Sequence, residues 1–460
     1  MKKSEWKKFI TLLDSLSREE LVEIILDTAQ NDSLLLKRIM AKYHKGNEEL
    51  VLAQYTQLLK GIVSKYQGRE GFIEYREAGR FAREMGDLLT QIDQMKDVKL
   101  GLELAVLFLY EAMEAFQYAD DSNGDIGGLV EEAIIKIEEL TIEHEITDET
   151  QRTQMMEKLL TVSQHSVFNG WEEFRNRLLQ FCIEFAEDRT RRERLEKHLR
   201  SMIVPHADKS FSTHYNNEQV MNLLLQLTER FGESEDAEQF VQEHMQYASF
   251  REAAIKKSVQ QRDFQRVIEL ALEGERRDEE YPGLVIQWKK ARYSAYKRLA
   301  LYNEQMQLGK ELLYEGEFEY YGLLELITTE DKRVFYNQIK EQLKLKQQDN
   351  WRARDMYIRL IDTKNDINEM MEVLRLNHSE VERYAPRLKD NYREEVIGIY
   401  RSHIERTALR ASNRKQYHEV ANMLKRYAQI AGNELLKEVV DELKEKYMNK
   451  PAFQDEMGKI

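Results

Sequence analysis

Apolar residues recur at intervals of three and four along most of this chain, with charged residues between them. The clearest windows are Leu21, Ile24, Ile25, Thr28 and Ala29; Val130, Ala133, Ile134 and Ile137; Val220, Leu223, Leu224 and Leu227; Phe264, Val267, Ile268, Ala271 and Leu272; and Leu436, Val439, Val440 and Leu443. This spacing places side chains on one face of an α-helix. Each window therefore predicts a helix with one buried face, which needs a neighbouring helix to cover it.

Start and stop signals divide the pattern into separate helices. Ser17 followed by Glu20 has the form of a capping box ahead of Leu21. The run at 31–33 is suited to ending one helix and capping the next, which predicts an antiparallel helical hairpin over residues 5–44. The glycine-containing loops at 68–71 and 120–125 are further breaks that separate helix pairs.

Residues 201–217 form the longest stretch with weak periodicity, and polar turn residues cluster there around Pro205. We interpret this stretch as a hinge or linker. It divides the chain into an N-terminal helical domain over 1–200 and a C-terminal domain of tetratricopeptide-like helical repeats over 218–460.

Internal repetition supports stacked helix pairs in the second half. The similar segments 270–275 and 312–317 stand 42 residues apart, and each closes a helix. Periods of this size are typical of tetratricopeptide and HEAT arrays. A further copy near Leu360 is not evident, so the prediction depends more on helical periodicity than on the repeat. The expected fold is all-α, an α-solenoid of stacked antiparallel helix pairs.

Composition agrees with a helical fold. The chain has only four prolines in 460 residues, and proline breaks the interior of helices. A formal charge of −14 disfavours loose adsorption to nucleic acid or anionic lipid. The apolar stretch 102–113 is too short to span a bilayer. With one cysteine and no apolar signal core near its start, the chain is expected to be cytoplasmic and outside the membrane.

Motifs that carry chemistry are scarce. No glycine-rich phosphate loop follows a predicted strand, so a nucleotide cofactor is not expected. His198, His206 and His214 flank the predicted hinge and are a metal-site alternative to ordinary helix-end and surface roles. We expect no metal, no other cofactor and no catalytic residue.

Two further features have structural interpretations that compete with functional ones. The acidic loop 120–125 resembles a calcium loop, but Ala119 and Val130 would occupy its first and twelfth ligand positions, and neither coordinates a cation. We expect instead a turn at Gly124 and a helix cap from Asp125. Cys182 lies in an apolar helix, where inert burial is expected.

The densest basic stretch is a candidate contact patch for phosphate groups. It comprises Arg189, Arg191, Arg192, Arg194, Lys197 and Arg200. Several of these side chains would share one helix face. The alternative is a solvated helix surface, because Glu193 and Glu196 interrupt the face and offer intrahelical ion pairs.

Short segments spread over most of the chain resemble a known family. They are residues 16–21, 71–75, 120–125 and 417–457, of which 417–426 and 449–453 are the closest. They resemble the helical region that follows the zinc finger in bacterial SWIM zinc finger family proteins. The resemblance implies a shared helical architecture and an association with nucleic-acid or protein binding, sometimes beside a helicase. The finger needs three cysteines and a histidine, so this chain, with Cys182 alone, carries none of its metal ligands.

The sequence predicts a non-enzymatic scaffold or adaptor that binds another protein. Stacked helix pairs present extended surfaces suited to a protein segment, and the acidic balance favours a partner with a basic face. One alternative is a nucleic-acid-associated accessory factor that acts through the basic patch or with a helicase or zinc-finger partner. Another is an enzyme whose site is assembled from distant residues. A homo-oligomer is also compatible with large repeat surfaces.

Overall fold

The computed structural model describes residues 3–43, 47–94, 97–143, 148–205, 211–348 and 350–460. Over these ranges the chain forms α-helices and no β-strand, which confirms the predicted all-α fold. Two compact units divide it, Met1–Phe250 and Arg251–Ile460. No helix in the described ranges combines the length and the apolar character needed to cross a bilayer.

The first unit is a stack of short and medium helices. They are α1 (Lys3–Ser15), α2 (Arg18–Asn31), α3 (Ser33–Tyr43), α4 (Glu48–Tyr66), α5 (Tyr75–Leu89), α6 (Val98–Tyr118), α7 (Asp125–Glu138), α8 (Glu149–Ser163), α9 (Glu172–Ile183), α10 (Arg189–Ser201), α11 (Phe211–Phe231) and α12 (Ser234–Glu243), with α13 (Ala248–Gln260) beginning in this unit and ending in the next. Many helices pack on the next helix in the chain, as α3 does on α4, α6 on α7 and α8 on α9, while α4 also packs on α6 and α5 packs chiefly on α7. This succession of nearest-neighbour contacts is that of an α-solenoid.

The second unit continues the pattern. Its helices are α14 (Phe264–Arg277), α15 (Pro282–Arg298), α16 (Tyr302–Tyr314), α17 (Glu319–Ile327), α18 (Lys332–Lys346), α19 (Trp351–Lys364), α20 (Ile367–Leu376), α21 (Val381–Leu388), α22 (Arg393–Arg410), α23 (Arg414–Ala431), α24 (Asn433–Lys446) and α25 (Pro451–Met457). The pairs α14 with α15, α16 with α17 and α22 with α23 pack most extensively, followed by α15 with α16 and α18 with α19. Short 3-10 turns supplement the helices, and one of them, His378–Glu380, precedes α21.

Close approach of α14 and α15 depends on a glycine. A Cβ atom on Gly274 would lie 2.8 Å from the indole ring of Trp288. That indole is buried, and its Nε1 donates a hydrogen bond of 2.7 Å to the carboxylate of Asp278. The same carboxylate accepts a hydrogen bond from the fully buried guanidinium of Arg251. A buried charge needs such a partner, so this polar cluster fixes the start of the second unit.

Most predicted buried faces are confirmed. Val130, Ala133, Ile134 and Ile137 are all 0% exposed. The windows in α11 and α24 are buried or half-buried, while in α14 Leu272 is 39% exposed. The window in α2 was predicted wrongly: Ile24 and Ile25 are 47% and 48% exposed, and Ala29 is buried.

The predicted hinge at 201–217 lies inside the first unit. Residues 206–210 are outside the described ranges, but the flanking Val204 and Asn217 are joined by two hydrogen bonds of 3.0 and 2.8 Å. One apolar core contains Leu199 and Val220 from either side of the stretch. The boundary between compact units comes after Phe250 instead, and bending at 201–217 stays a prediction.

The two similar segments at 270–275 and 312–317 do not hold equivalent positions. Gly274 lies within α14, whereas Gly316 follows α16 in a turn with φ of +115°. Alternate helices of the second unit begin at Phe264, Tyr302, Lys332, Ile367 and Arg393, which are unequal intervals. A fixed sequence period is therefore absent although the helix pairs recur.

Candidate protein-interaction surface

Exposed apolar side chains are concentrated in the first three helices. Of the 30 large hydrophobic residues that are exposed in the described ranges, 11 precede residue 44. We call these the N-terminal apolar surface: Trp6, Phe9, Ile10, Leu12, Val22, Ile24, Ile25, Leu26, Leu36, Met40 and Tyr43. Single exposed apolar residues are ordinary on a protein surface, whereas large exposed apolar patches are typical of interaction sites, so this region is a candidate.

Local sequence signals explain why this segment forms three helices. Ser17 and Glu20 make the predicted capping box, with Glu20 N–H donating to Ser17 Oγ at 3.2 Å and Ser17 N–H donating to the Glu20 carboxylate at 2.7 Å. The carboxylate of Asp32 accepts hydrogen bonds from the backbone of Leu34 and Leu35, each at 3.0 Å, and so caps α3. The hairpin predicted for 5–44 is thus an arrangement of three helices, because the box at Ser17 starts a new helix after α1.

Anchoring to the core weakens toward the N-terminus. Helix α3 docks on α4 at Gly61, where a Cβ would lie 3.1 Å from Leu34, and it buries Ala41. Its Arg38 pairs with Glu84 on α5. Helix α2 packs on α3 but buries only Ala29, and no residue from 5 to 15 in α1 is buried. The apolar faces of α1 and α2 consequently remain accessible.

A row of acidic side chains runs beside the apolar residues of α2. Glu19, Glu23 and Asp27 are spaced four residues apart, which places them along one stripe of the helix. All three are exposed, and none is in an ion pair with another described residue. The surface therefore combines apolar contact area with uncompensated negative charge.

The predicted basic patch lies on α10, and acidic neighbours compensate much of its charge. The pairs are Arg189 with Glu193 at 2.8 Å, Arg194 with Glu157 at 3.1 Å, and Arg200 with Glu196 at 2.8 Å. Two of these are the intrahelical pairs offered by the sequence alternative. Lys197 is exposed and has no ion pair within the described ranges.

Two arginines of the patch serve the fold. Arg191 is 6% exposed; its guanidinium donates to the carbonyl of Phe185 at 2.7 Å and to the carboxylate of Glu149 at 2.6 Å. Arg192 donates to two backbone carbonyls at 3.3 Å and lies over the ring of Phe231. Arg191 is therefore not available to a ligand at this surface, contrary to its place in the predicted patch.

The acidic loop forms the predicted turn, but a different residue supplies the cap. Gly124 has φ of +75°, which favours glycine. Asp121, and not the predicted Asp125, accepts from the backbone of Ile126 at 2.7 Å at the start of α7. Backbone hydrogen bonds between Ile73 and the residues on either side of Ala119 hold the loop against the preceding segment.

Cys182 and the described histidines near the predicted hinge are buried, half-buried or in contact with an aromatic ring. Cys182 is fully buried, and burial raises the pKa of its thiol. His198 is half-buried, which lowers its pKa, and His214 contacts the ring of Tyr247. His206 lies outside the described residues. Within the described ranges no three His, Cys, Asp or Glu side chains are grouped closely enough to hold a metal ion.

Fold and surface together define a helical-repeat protein with an exposed apolar N-terminal region. No family model matches the chain. No curated protein matches it. One solved structure, described as a circular tandem repeat protein with novel repeat topology and enhanced subunit contact surfaces, is similar over 95% of this chain and 97% of that one, at 14% identity and a TM-score of 0.17. A TM-score this low carries no weight for fold or function.

Proposed function

We propose that this chain is a helical-repeat scaffold that binds another protein through the N-terminal apolar surface. The observation that carries the proposal is the exposure of Ile24, Ile25 and Leu26, which are 47%, 48% and 56% exposed in a helix whose pattern elsewhere in the chain is buried. Burying such side chains stabilises a complex by about 25 cal/mol per Å² of apolar area before the cost of association.

The occupant that fits is a protein segment with an apolar helical face and flanking basic side chains. Its apolar face would cover α1 and α2, as a neighbouring helix does elsewhere in the stack. Its basic groups would meet Glu19, Glu23 and Asp27, which supply charge complementarity and partner specificity. Binding of this kind weakens as salt rises, because exposed charges are screened.

Affinity capture tests the proposal. The full-length wild type and its variants are each used as bait in native extract, with and without nuclease treatment, and the captured proteins are compared. Ile25→Glu combined with Leu26→Glu places charge in the surface without disturbing a buried side chain. The matched control is Leu326→Glu in α17, since Leu326 is 77% exposed and lies far along the chain from the surface. We expect one defined protein to be captured by the wild type and the control and lost by the double variant.

The outcomes separate the alternatives. Capture that the double variant retains would contradict the proposed surface. Capture that disappears with nuclease would favour the nucleic-acid accessory alternative. Light scattering of the pure proteins tests whether the occupant is a second copy. In that case the wild type and the control are dimers, and the double variant is a monomer.

A further inference from the structure

A small basic cleft lies in the second unit, between the 3-10 turn His378–Glu380 and α22. It has a volume of about 280 Å³, and no carboxylate is among the described residues that line it. Its polar lining comes from Asn377, His378 and Ser379 on one side and from His403, Arg406, Thr407 and Arg410 on the other. A carboxylate-free cleft with two arginines is unexpected in a chain of net charge −14.

Hydrogen bonding fixes the tautomer of one histidine. The guanidinium of Arg406 lies 3.0 Å from Nδ1 of His378. A guanidinium can only donate, so Nδ1 accepts and the ring proton is on Nε2. His378 therefore keeps one N–H donor for a further acceptor, and its ring does not compensate the charge of Arg406.

The positive charge of the cleft has no counterion among the residues that the structure describes. Besides His378, Arg406 donates to the backbone carbonyl of Ser402 at 3.3 Å, which is also neutral. The side chain of Arg410 is exposed and has no hydrogen-bond or ion-pair partner in the described part of the chain. Arg292 of the same unit, by contrast, is paired with the carboxylate of Glu275 at 2.7 Å.

Neighbouring groups do not cancel the charge. Glu382 is the carboxylate that acts electrostatically on His403. It forms an ion pair with Arg426 at 2.6 Å and accepts a hydrogen bond from the hydroxyl of Tyr400. Burial, reinforced by the charge of Arg406, lowers the pKa of His403. A lowered pKa favours the neutral form of that ring, so Arg406 and Arg410 provide the charge of the cleft.

We propose that this cleft binds a phosphate monoester or inorganic phosphate through Arg406, Arg410 and the N–H donors of its histidines. A phosphate group carries about −1.5 to −2 charges at pH 7, which matches two guanidinium groups. Arginine holds such an anion with paired N–H donors in a fixed plane. The site is separate in sequence and in compact unit from the N-terminal apolar surface, and it adds recognition of an anion to the proposed scaffold.

Calorimetric titration of the full chain at low salt tests the site. The probes are inorganic phosphate and N-acetyl-phosphoserine amide, with N-acetylserine amide as the uncharged comparison. We expect saturable binding at one site, and at least about tenfold weaker binding in Arg406→Gln/Arg410→Gln, because charge-assisted hydrogen bonds are lost. Arg410→Gln alone breaks no contact of the fold and keeps the test informative if the double variant melts early.

The matched control is Arg354→Gln, since Arg354 is also exposed and without an ion pair in the described ranges. Tighter binding of the phosphoserine probe would identify a phosphorylated side chain as the ligand, and equal binding would identify free phosphate. The proposal is overturned if neither probe saturates, if Arg410→Gln has no effect, or if Arg354→Gln weakens binding equally. Ile25→Glu/Leu26→Glu should leave phosphate binding unchanged, so failure of the scaffold proposal is distinguishable from failure of this one.

Discussion

Ile25 lies one helical turn before Ala29 on the same face of α2, yet it is 48% exposed where Ala29 is 8% exposed. Helix α2 packs on α3, yet Ile25 remains exposed. In α7 the equivalent sequence spacing gives four completely buried side chains, because α5 and α6 both cover that helix. The first two helices lack such a cover among the residues that the structure describes, and a binding partner would supply it.

Replacing one isoleucine in the buried helix α7 and one in the exposed helix α2 should distinguish a residue that stabilises the fold from one that is available for binding. We expect Ile134→Ala to lower the free energy of unfolding by about 2–5 kcal/mol, since a fully buried side chain leaves a cavity. Ile25→Ala should change it by no more than about 0.5 kcal/mol, because the site is exposed. Chemical denaturation measures both. Equal losses would show that Ile25 is buried within the chain and would remove the basis of the interaction surface.

Arg191 and Lys197 should behave differently although both belong to the basic stretch of α10. Arg191→Gln removes hydrogen bonds to Phe185 and Glu149 in a buried place, and we expect a loss of about 2–3 kcal/mol in unfolding free energy. Lys197→Gln should fall within about 0.5 kcal/mol of the wild type. Thermal or chemical unfolding gives the comparison. A neutral Arg191→Gln that also loses nucleic acid in a mobility-shift assay would restore the basic patch as a contact site.

Two glycines in helices should respond to alanine with opposite signs. Gly274→Ala forces a Cβ into the indole of Trp288, so we expect destabilisation by about 1–3 kcal/mol from overpacking. Gly398→Ala in α22 meets no atom within 4 Å and should stabilise by about 0.5–1 kcal/mol through helix propensity. Melting temperatures of the two variants measure this. A stabilised Gly274→Ala protein would contradict the close approach of α14 and α15.

The stabilisation that Glu456 gives the C-terminal helix should be lost as its carboxyl is protonated. Hydrogen bonds from Lys459, His418 and Arg414 hold the pKa of the Glu456 carboxyl at about 2, below its ordinary value of 4.5. Because the pKa is lower in the folded state, the ionised Glu456 carboxylate contributes fully to the free energy of unfolding above pH 4.5. This contribution is lost as the pH falls toward 2. We therefore expect Glu456→Gln to melt earlier than the wild type at pH 7, with a difference that shrinks below pH 4.5. A difference that stays constant down to pH 3 would contradict this role.

Helical periodicity predicted the fold because each turn buries one face wherever a neighbour exists. It predicted α7 and α24 correctly for that reason. It could not predict the exposure of α2. The spacing of Ile24 and Ile25 predicts an apolar face, but it does not indicate whether another helix of the chain packs on that face. The proposed interaction surface is thus visible only when the sequence pattern and the observed burial are compared.

Features that depend on contacts between residues far apart in the chain could not be predicted from the sequence. Arg191 looked like its neighbours in a basic run, and only the approach of Phe185 and Glu149 shows that it is structural. His378 and His403 are 25 residues apart and gave no motif, yet the turn before α21 brings them to one cleft. The resemblance to SWIM zinc finger family proteins, and the hinge at 201–217, remain expectations.

Hydrogen exchange of the purified chain, free and in complex with the captured partner, tests the interaction surface most directly. We predict slower exchange on binding in peptides from residues 3–43, where α1 and α2 become covered, and little change in α10. Unchanged exchange over 3–43, with protection elsewhere in the chain, would contradict the account.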